Sequence, residues 1–312
     1  MSNLQDYRDR TVSALVTLPR RKLSDAEKER HRIASLLLMA ITHHYWCGLK
    51  RGSSLEYPLN PPIHKDGESR YLGGEYRGHN IAALATDATG RFIDFEFNHN
   101  SLFNSSVEHA ESRLIRRLFS LARRYGADLG ATDDKYGNSL SDITVYTTLE
   151  SCSQCAGIMA LGQVQEVVYL QDDPGQHQIG AILYNLTRGT DQPAPRPIHG
   201  GIIELPHYRR LNERYETFQR QQESHSGKPF CRSTDNVKHY SSSVTSFLCT
   251  RSAHDVYVDA SQLYAHMDAA SLAFGDFCPG ATALSNEQVL LESRKFFAHA
   301  TTCGRRGTPH RT

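Results

Sequence analysis

Four residues in the middle of the sequence have types and spacings that could form one reactive site. Cys152 and Cys155 stand three positions apart in LESCSQCAGIM, and His109 stands two positions before Glu111 in VEHAES. On a helix, residues i and i+3 lie on one face, so both sulfurs can reach a single ion. A helix start also lowers the pKa of a thiol and favours the metal-binding thiolate. The spacing therefore predicts a metal site or a redox site.

Two thiolates leave the coordination of a metal incomplete. Structural zinc takes four protein ligands, whereas catalytic zinc takes three and keeps one position open. The sequence has no second Cys-x-x-Cys, which favours the open kind of site. His109 is the candidate third ligand, because in a His-x-Glu pair the histidine binds zinc and the glutamate, here Glu111, handles protons. A redox dithiol and a pair of buried structural cysteines are the alternatives.

The segments around these residues predict an α/β fold with one central sheet. Two strands flank a turn at residues 88–90, and a helix follows whose start has the form of a capping box, Ser105 with Glu108. A strand is expected over Asp142–Leu149, then a short helix from Cys152, then a buried strand in EVVYLQDD. If both helices start at the same edge of the sheet, His109 meets the two cysteines.

The outer parts of the chain predict three regions. Residues 1–23 form an arm, residues 24–222 a catalytic domain with an insertion at 51–79, and residues 223–312 a helical C-terminal extension. Capping boxes at Ser24 with Glu27 and at Ser285 with Gln288 mark two helix starts.

Charge and hydropathy exclude some classes of protein. The 35 basic and 34 acidic residues nearly balance, which argues against a strong overall field for nucleic acid. Basic clusters at 20–22, 113–124 and 209–210 are expected to be solvated helix faces. The longest apolar run, residues 35–42, is far shorter than the roughly 18 residues of a membrane span. We expect no membrane partner and an intracellular location, in the cytoplasm or alternatively the nucleus.

His-Ala-Glu followed by Cys-x-x-Cys resembles the zinc-dependent cytidine/deoxycytidylate deaminase superfamily. The run TVYTTLESCSQCAGIMALGQVQEVVYLQDD is most similar to bacterial tRNA adenosine deaminases, and the likeness spans residues 80–190. The resemblance implies a three-layer α/β/α cytidine-deaminase-like fold with a central mixed sheet, plus N- and C-terminal extensions. It also implies a Zn²⁺ ion on His109, Cys152 and Cys155, with Glu111 as the proton carrier.

Two positions need separate comment within this resemblance. The family motif has proline before its first cysteine, whereas this chain has Ser151, which loses the rigidity of proline but can cap the helix. Asn98 stands 13 positions before Glu111, the spacing of a substrate-contacting asparagine in the family. Strict alternation would place Asn98 beside Asp94 and Glu96, so a substrate contact requires the strand to end or bulge there.

The implied function is hydrolytic deamination of an amino-bearing nucleobase, adenine or cytosine, within RNA or single-stranded DNA. Arg20–Lys22 and Arg305–Arg306 are then expected to contact phosphates; alternatively, the outer segments cover the core or form a homodimer interface. Three other functions stay open: deamination of a free nucleotide or nucleoside, deamination of a free base such as guanine, and nucleic-acid binding by a non-catalytic zinc-bearing subunit.

Overall fold

Five strands form one mixed sheet in the computed structural model, which describes residues 11–18, 22–46, 79–100, 105–125, 139–226 and 243–303. The strands are β1 (Ala82–Thr86), β2 (Phe92–Phe97), β3 (Thr144–Thr147), β4 (Glu166–Tyr169) and β5 (Arg196–His199). Their spatial order is β2-β1-β3-β4-β5. β1 pairs antiparallel with β2 and β3, whereas β3–β4 and β4–β5 are parallel. The predicted α/β fold with a central mixed sheet is confirmed.

Helices cover both faces of this sheet. They are α1 (Val12–Val16), α2 (Asp25–His44), α3 (Ala110–Tyr125), α4 (Ser153–Leu161), α5 (Ile179–Thr187), α6 (Pro206–Ser226), α7 (Val244–Phe247), α8 (Arg251–His266) and α9 (Asn286–Cys303). Within the described residues, no helix is both long enough and apolar enough to cross a membrane.

Neighbouring residues of β3 show which helices lie on which face. The Tyr146 hydroxyl lies 2.9 Å from Nδ1 of His31 on α2, whereas the Thr147 hydroxyl donates to Glu111 on α3. Successive strand residues point to opposite faces, so α2 and α3 lie on opposite sides of the sheet. α8 and α9 pack against α2, and α4 packs against α3. The three regions expected from the sequence stay a prediction, and residues 51–78 of the expected insertion lie outside the described ranges.

Local capping signals located two helix starts correctly and a third incorrectly. Ser24 and Glu27 form the expected reciprocal capping box at α2. Ser285 and Gln288 exchange the corresponding hydrogen bonds before α9. The box expected at Ser105 with Glu108 is wrong, because α3 begins only at Ala110 and the Glu108 carboxylate binds arginines further along the helix.

Two acidic residues of β2 are buried against α3. Asp94 and Glu96 are each only 2% exposed, and they form ion pairs with Arg117 and Arg113. Burial raises the pKa of Asp94 to about 6 and that of Glu96 to about 7. The expected solvated face of residues 113–124 is therefore wrong for these two arginines, because they neutralise carboxylates that would otherwise be buried without a counter-charge.

Replacing Arg117 with alanine should lower the free energy of unfolding by about 3 kcal/mol, because the Asp94 carboxylate would stay buried without its cation. The loss should grow between about pH 6 and pH 8. Arg117 lowers the pKa of Asp94, so its removal makes ionisation of this buried carboxyl group more costly in the variant than in the wild type. Below about pH 5 the group is protonated in both folded proteins, and the two stabilities should differ little. Urea unfolding at about pH 5, 7 and 8 measures the difference.

Arg116→Ala is the matched control on the same helix. Arg116 is 57% exposed and pairs with Glu108 at the surface, so its loss should cost less than about 1 kcal/mol. Equal losses for the two variants, or a loss in Arg117→Ala that does not change with pH, would contradict this account.

Candidate metal centre

α3 and α4 begin side by side and bring three metal-ligating side chains together. His109 directly precedes α3, Cys152 is the N-cap residue of α4, and Cys155 lies in its first turn. His109 Nδ1 lies 3.2 Å from Cys152 Sγ and 3.5 Å from Cys155 Sγ. All three donor atoms lie within 4.8 Å of one another. The three residues singled out as ligands from the sequence therefore meet at one point.

The donor set and its spacing fit zinc. Ligand atoms bound to one tetrahedral zinc at about 2.0–2.3 Å lie about 3.5 Å from each other, close to the two measured distances from the His109 nitrogen. Among the described residues, this is the only group of three or more His, Cys, Asp or Glu that could hold a metal ion. Cys155 is buried and the other two are half-buried, so solvent reaches the group through His109 and Cys152.

Charge within the group favours one thiolate. The pKa of Cys152 falls to about 4, because its sulfur accepts hydrogen bonds from the Cys155 thiol, from His109 and from the Cys155 backbone amide. The same bond to Cys152, together with burial, raises the pKa of the Cys155 thiol. The bond to Cys152 also raises the pKa of His109. Cys152 thus carries the anionic sulfur that zinc requires.

Glu111 lies beside the three candidate ligands, and hydrogen-bond donors surround its carboxylate. Its Oε2 lies 3.4 Å from Cys155 Sγ, while its Oε1 accepts hydrogen bonds from the hydroxyls of Thr147 and Ser151, each at 3.2 Å. The residue is 3% exposed, and this burial raises the pKa of the carboxyl group. A carboxyl group that is held in place and hard to ionise is suited to taking up and returning a proton.

Ser151 does not have the capping role expected of it. Cys152, not Ser151, is the N-cap residue of α4. The Ser151 hydroxyl instead donates across to Glu111 on α3. Sequence reasoning did not identify Ser151 or Thr147 as partners of this carboxylate. The one available signal was Ser151 itself, which replaces the proline of the family motif.

Asn98 anchors the start of α3. β2 ends at Phe97, so Asn98 lies just beyond the strand, which is the condition that a substrate contact requires. Its Oδ1 accepts a 2.7 Å hydrogen bond from the backbone N–H of Ala110, and the residue is buried. Asn98 therefore fixes the backbone next to His109, and its role as a substrate contact stays a prediction.

A cleft with a volume of about 940 Å³ has Glu150 and Asp173 on its wall, and sequence reasoning did not identify that wall. Glu150, two residues before Cys152, accepts a 3.0 Å hydrogen bond from the backbone of Asp173, and Tyr208 donates to Asp172 at 2.7 Å. Burial raises the pKa of Glu150 to about 7. The lining residues include Val12, Val16, Leu18, Lys22, Glu150, Tyr169, Asp172, Asp173, His177, His199 and Tyr208.

Residues 67–171 match the model of the cytidine and deoxycytidylate deaminase zinc-binding region. His109, Glu111, Cys152 and Cys155 all lie inside the match, and the resemblance predicted from the sequence is confirmed. No curated protein matches the chain.

Several solved structures are similar to this chain. A structure from work on A-to-I editing by tRNA:A34 deaminases is 23% identical, with a TM-score of 0.31, over 44% of this chain and 89% of that one. A diaminohydroxyphosphoribosylaminopyrimidine deaminase/5-amino-6-(5-phosphoribosylamino)uracil reductase from Thermotoga maritima is 20% identical, with a TM-score of 0.34, over 61% and 41%. Guanine deaminase from Bacillus subtilis is 21% identical, with a TM-score of 0.26, over 55% and 90%.

Asn98→Ala should lower the free energy of unfolding by about 1–2 kcal/mol, because the buried N–H of Ala110 loses its acceptor. Asn98→Asp is the matched control: it keeps an acceptor oxygen at a helix N-terminus and should retain most of the stability. Urea unfolding measures both variants. An alanine variant as stable as the wild type would show that this hydrogen bond does not hold the start of α3.

Proposed function

We propose that this protein is a zinc-dependent enzyme that hydrolytically deaminates an amino-bearing nucleobase, because residues 67–171 match the model of the cytidine and deoxycytidylate deaminase zinc-binding region. One observation carries the proposal. The donor atoms of His109, Cys152 and Cys155 converge within 4.8 Å of one another, and the buried carboxylate of Glu111 lies 3.4 Å from the second sulfur.

His109, Cys152 and Cys155 would hold the zinc ion. Three protein ligands leave one coordination position open, as in catalytic zinc sites. When bound, the ion acts as a Lewis acid that makes water a nucleophile near neutral pH. Burial and the nearby Cys152 thiolate raise the pKa of Asp173 on the wall of the cleft, so we assign the approach of the substrate to that side.

Glu111 would move the protons of the reaction. Water adds to the ring carbon that bears the amino group, that carbon loses ammonia, and a carbonyl group replaces the amine. Oε1 of Glu111 is occupied by two hydroxyl donors, so we assign the proton to Oε2, which lies on the side of the metal ligands. Oε2 takes one proton from the water and gives it to the ring nitrogen; it then takes the second proton from the new hydroxyl group and gives it to the departing amine.

Two alternatives to a deaminase receive less support from this geometry. A redox dithiol needs two cysteines, but it needs neither the His109 nitrogen between them nor a carboxylate beside them. A non-catalytic zinc-bearing subunit would have no use for a proton carrier such as Glu111. The carboxylate at the ligand group therefore favours catalysis over binding alone.

For the substrate, we propose adenine or cytosine in RNA or single-stranded DNA, with a free base, nucleoside or nucleotide as the second candidate. The expected phosphate contacts at Arg20–Arg21 and Arg305–Arg306 lie outside the described residues. The described wall of the cleft favours a free base or nucleoside, which carries no phosphate. It carries Glu150, Asp172 and Asp173, and Lys22 is the only lysine or arginine among its described lining residues.

The purified protein should contain close to one zinc ion per chain. His109→Ala and Cys152→Ser should lose most of it, because each removes one of only three ligands. Cys278→Ser is the matched control, since Cys278 is an exposed free cysteine and should not affect metal content. Elemental analysis after dialysis measures the ratio. Full zinc retention in both ligand variants would rule out the assigned metal centre.

Ammonia release and mass change should identify a substrate in a panel of bases, nucleosides, nucleotides and single-stranded oligonucleotides. Glu111→Gln should keep its zinc and its fold. Its turnover should fall by about 10²–10⁴-fold, because the amide cannot carry the proton. Near-normal turnover by this variant would refute the proton-carrier role.

Salt dependence of binding separates the two substrate candidates. A polynucleotide held through phosphates should lose affinity steeply with salt, with a slope in log–log form of about 0.7 per contact for single strands. A free base or nucleoside should show almost no salt dependence. Efficient deamination of free compounds, with oligonucleotides ignored at low salt, would establish the second candidate.

A further inference from the structure

We infer that Ser151 is a positioning residue, whose hydroxyl holds one oxygen of the Glu111 carboxylate and so directs the other oxygen toward the metal ligands. The inference rests on the proposed function and adds a residue to its machinery. Ser151 Oγ lies 3.2 Å from Oε1 of Glu111, while Oε2 lies 3.4 Å from Cys155 Sγ. The two oxygens of one carboxylate therefore have different neighbours.

The hydroxyl of Ser151 is more committed to this contact than that of Thr147. Thr147 Oγ1 lies 3.2 Å from Oε1 of Glu111 and 3.1 Å from the backbone oxygen of Leu149, so its single proton has two acceptors. Within the described part of the chain, the Ser151 hydroxyl has Glu111 as its one acceptor. A hydroxyl donates one proton, so Ser151 provides the steadier hydrogen bond.

Burial makes the contact persistent. Ser151 is 4% exposed, Thr147 is fully buried and Glu111 is 3% exposed, so bulk water competes little for these atoms. A hydrogen bond to a charged group in such surroundings is stronger than one between neutral groups. Rotation of the carboxylate that moved Oε1 away would leave its charge with fewer donors. Ser151 therefore resists the rotation that would misdirect Oε2.

The position of Ser151 in the chain adds a second function to this contact. Ser151 directly precedes Cys152. The residue that donates a hydrogen bond to the Glu111 carboxylate on α3 is therefore bonded to a proposed metal ligand at the start of α4. Ser151 has no capping role in addition, because Cys152 is the N-cap residue of α4 and the Ser151 hydroxyl donates to Glu111. The distance between the proton carrier and the ligands is thus fixed by the residue between them.

The test compares Ser151→Ala with Ser151→Thr and with Ser153→Ala in the full-length, zinc-loaded protein. Thr restores the hydroxyl, and Ser153 is an exposed serine two residues away that provides the matched control. With a substrate from the panel, Ser151→Ala should lower kcat about tenfold to a hundredfold, the range expected for a lost hydrogen bond to a charged group. Its KM and zinc content should stay near wild type, and the Thr variant should recover most of kcat.

A second measurement needs no substrate. Glutamate labelled with carbon-13 at its side-chain carboxyl gives a resonance for Glu111, identified as the one missing in Glu111→Gln. That resonance should shift in Ser151→Ala, return toward the wild-type position in Ser151→Thr and stay in place in Ser153→Ala.

The outcomes separate this inference from the proposed function. If wild-type protein deaminates nothing in the panel, the proposed function is wrong and the positioning role is wrong with it. If wild-type protein is active, an unshifted Glu111 resonance or a normal kcat in Ser151→Ala overturns the inference alone. A drop in kcat that Thr does not restore also overturns it, because the hydroxyl would not be the cause.

Discussion

The docking of α3 on the sheet depends on carboxylates that are buried between the helix and the sheet. Each of these carboxylates needs a hydrogen-bond donor. A buried carboxylate is costly unless charges or hydrogen bonds replace its water. Asp94 and Glu96 obtain arginine partners from α3, and Glu111 of α3 obtains hydroxyl donors from the β3–α4 segment. Donors on α3 thus serve acids on the sheet, and donors beside the sheet serve an acid on α3. These contacts fix the position of the helix along the sheet as well as its distance from it.

The candidate metal centre obtains its geometry from that docking. His109 directly precedes α3, where the contact between Asn98 and Ala110 holds the backbone. The cysteines belong to α4, which follows β3 and packs against α3. Because both helices begin at the same end of the sheet, small displacements of α3 would separate the histidine from the sulfurs. Supporting contacts that hold ligands in place are typical of metal sites with defined chemistry.

The cleft has a different origin, because part of its wall comes from the irregular segment between β4 and α5. His177 and Gln178 both have positive φ, at 52° and 55°, although neither is glycine. Such conformations are uncommon and typically cost about 1 kcal/mol or more, so surrounding contacts must maintain them. The side-chain amide of Asn185 donates to the backbone oxygens of Leu15 and Thr17, which attaches the N-terminal arm to α5 at the edge of the cleft.

The sequence by itself determined the α/β fold, the elements around the site and the capping boxes at Ser24 and Ser285, because these depend on periodicity and on contacts three residues apart. It also singled out His109, Glu111, Cys152 and Cys155 from their types and spacing. Only the tertiary structure decided the partners of the buried acids and the role of Ser151. Their partners lie 17 to 40 positions away along the chain, on another element. Local patterns do not record which elements meet, and the burial that makes such contacts necessary exists only in the folded chain.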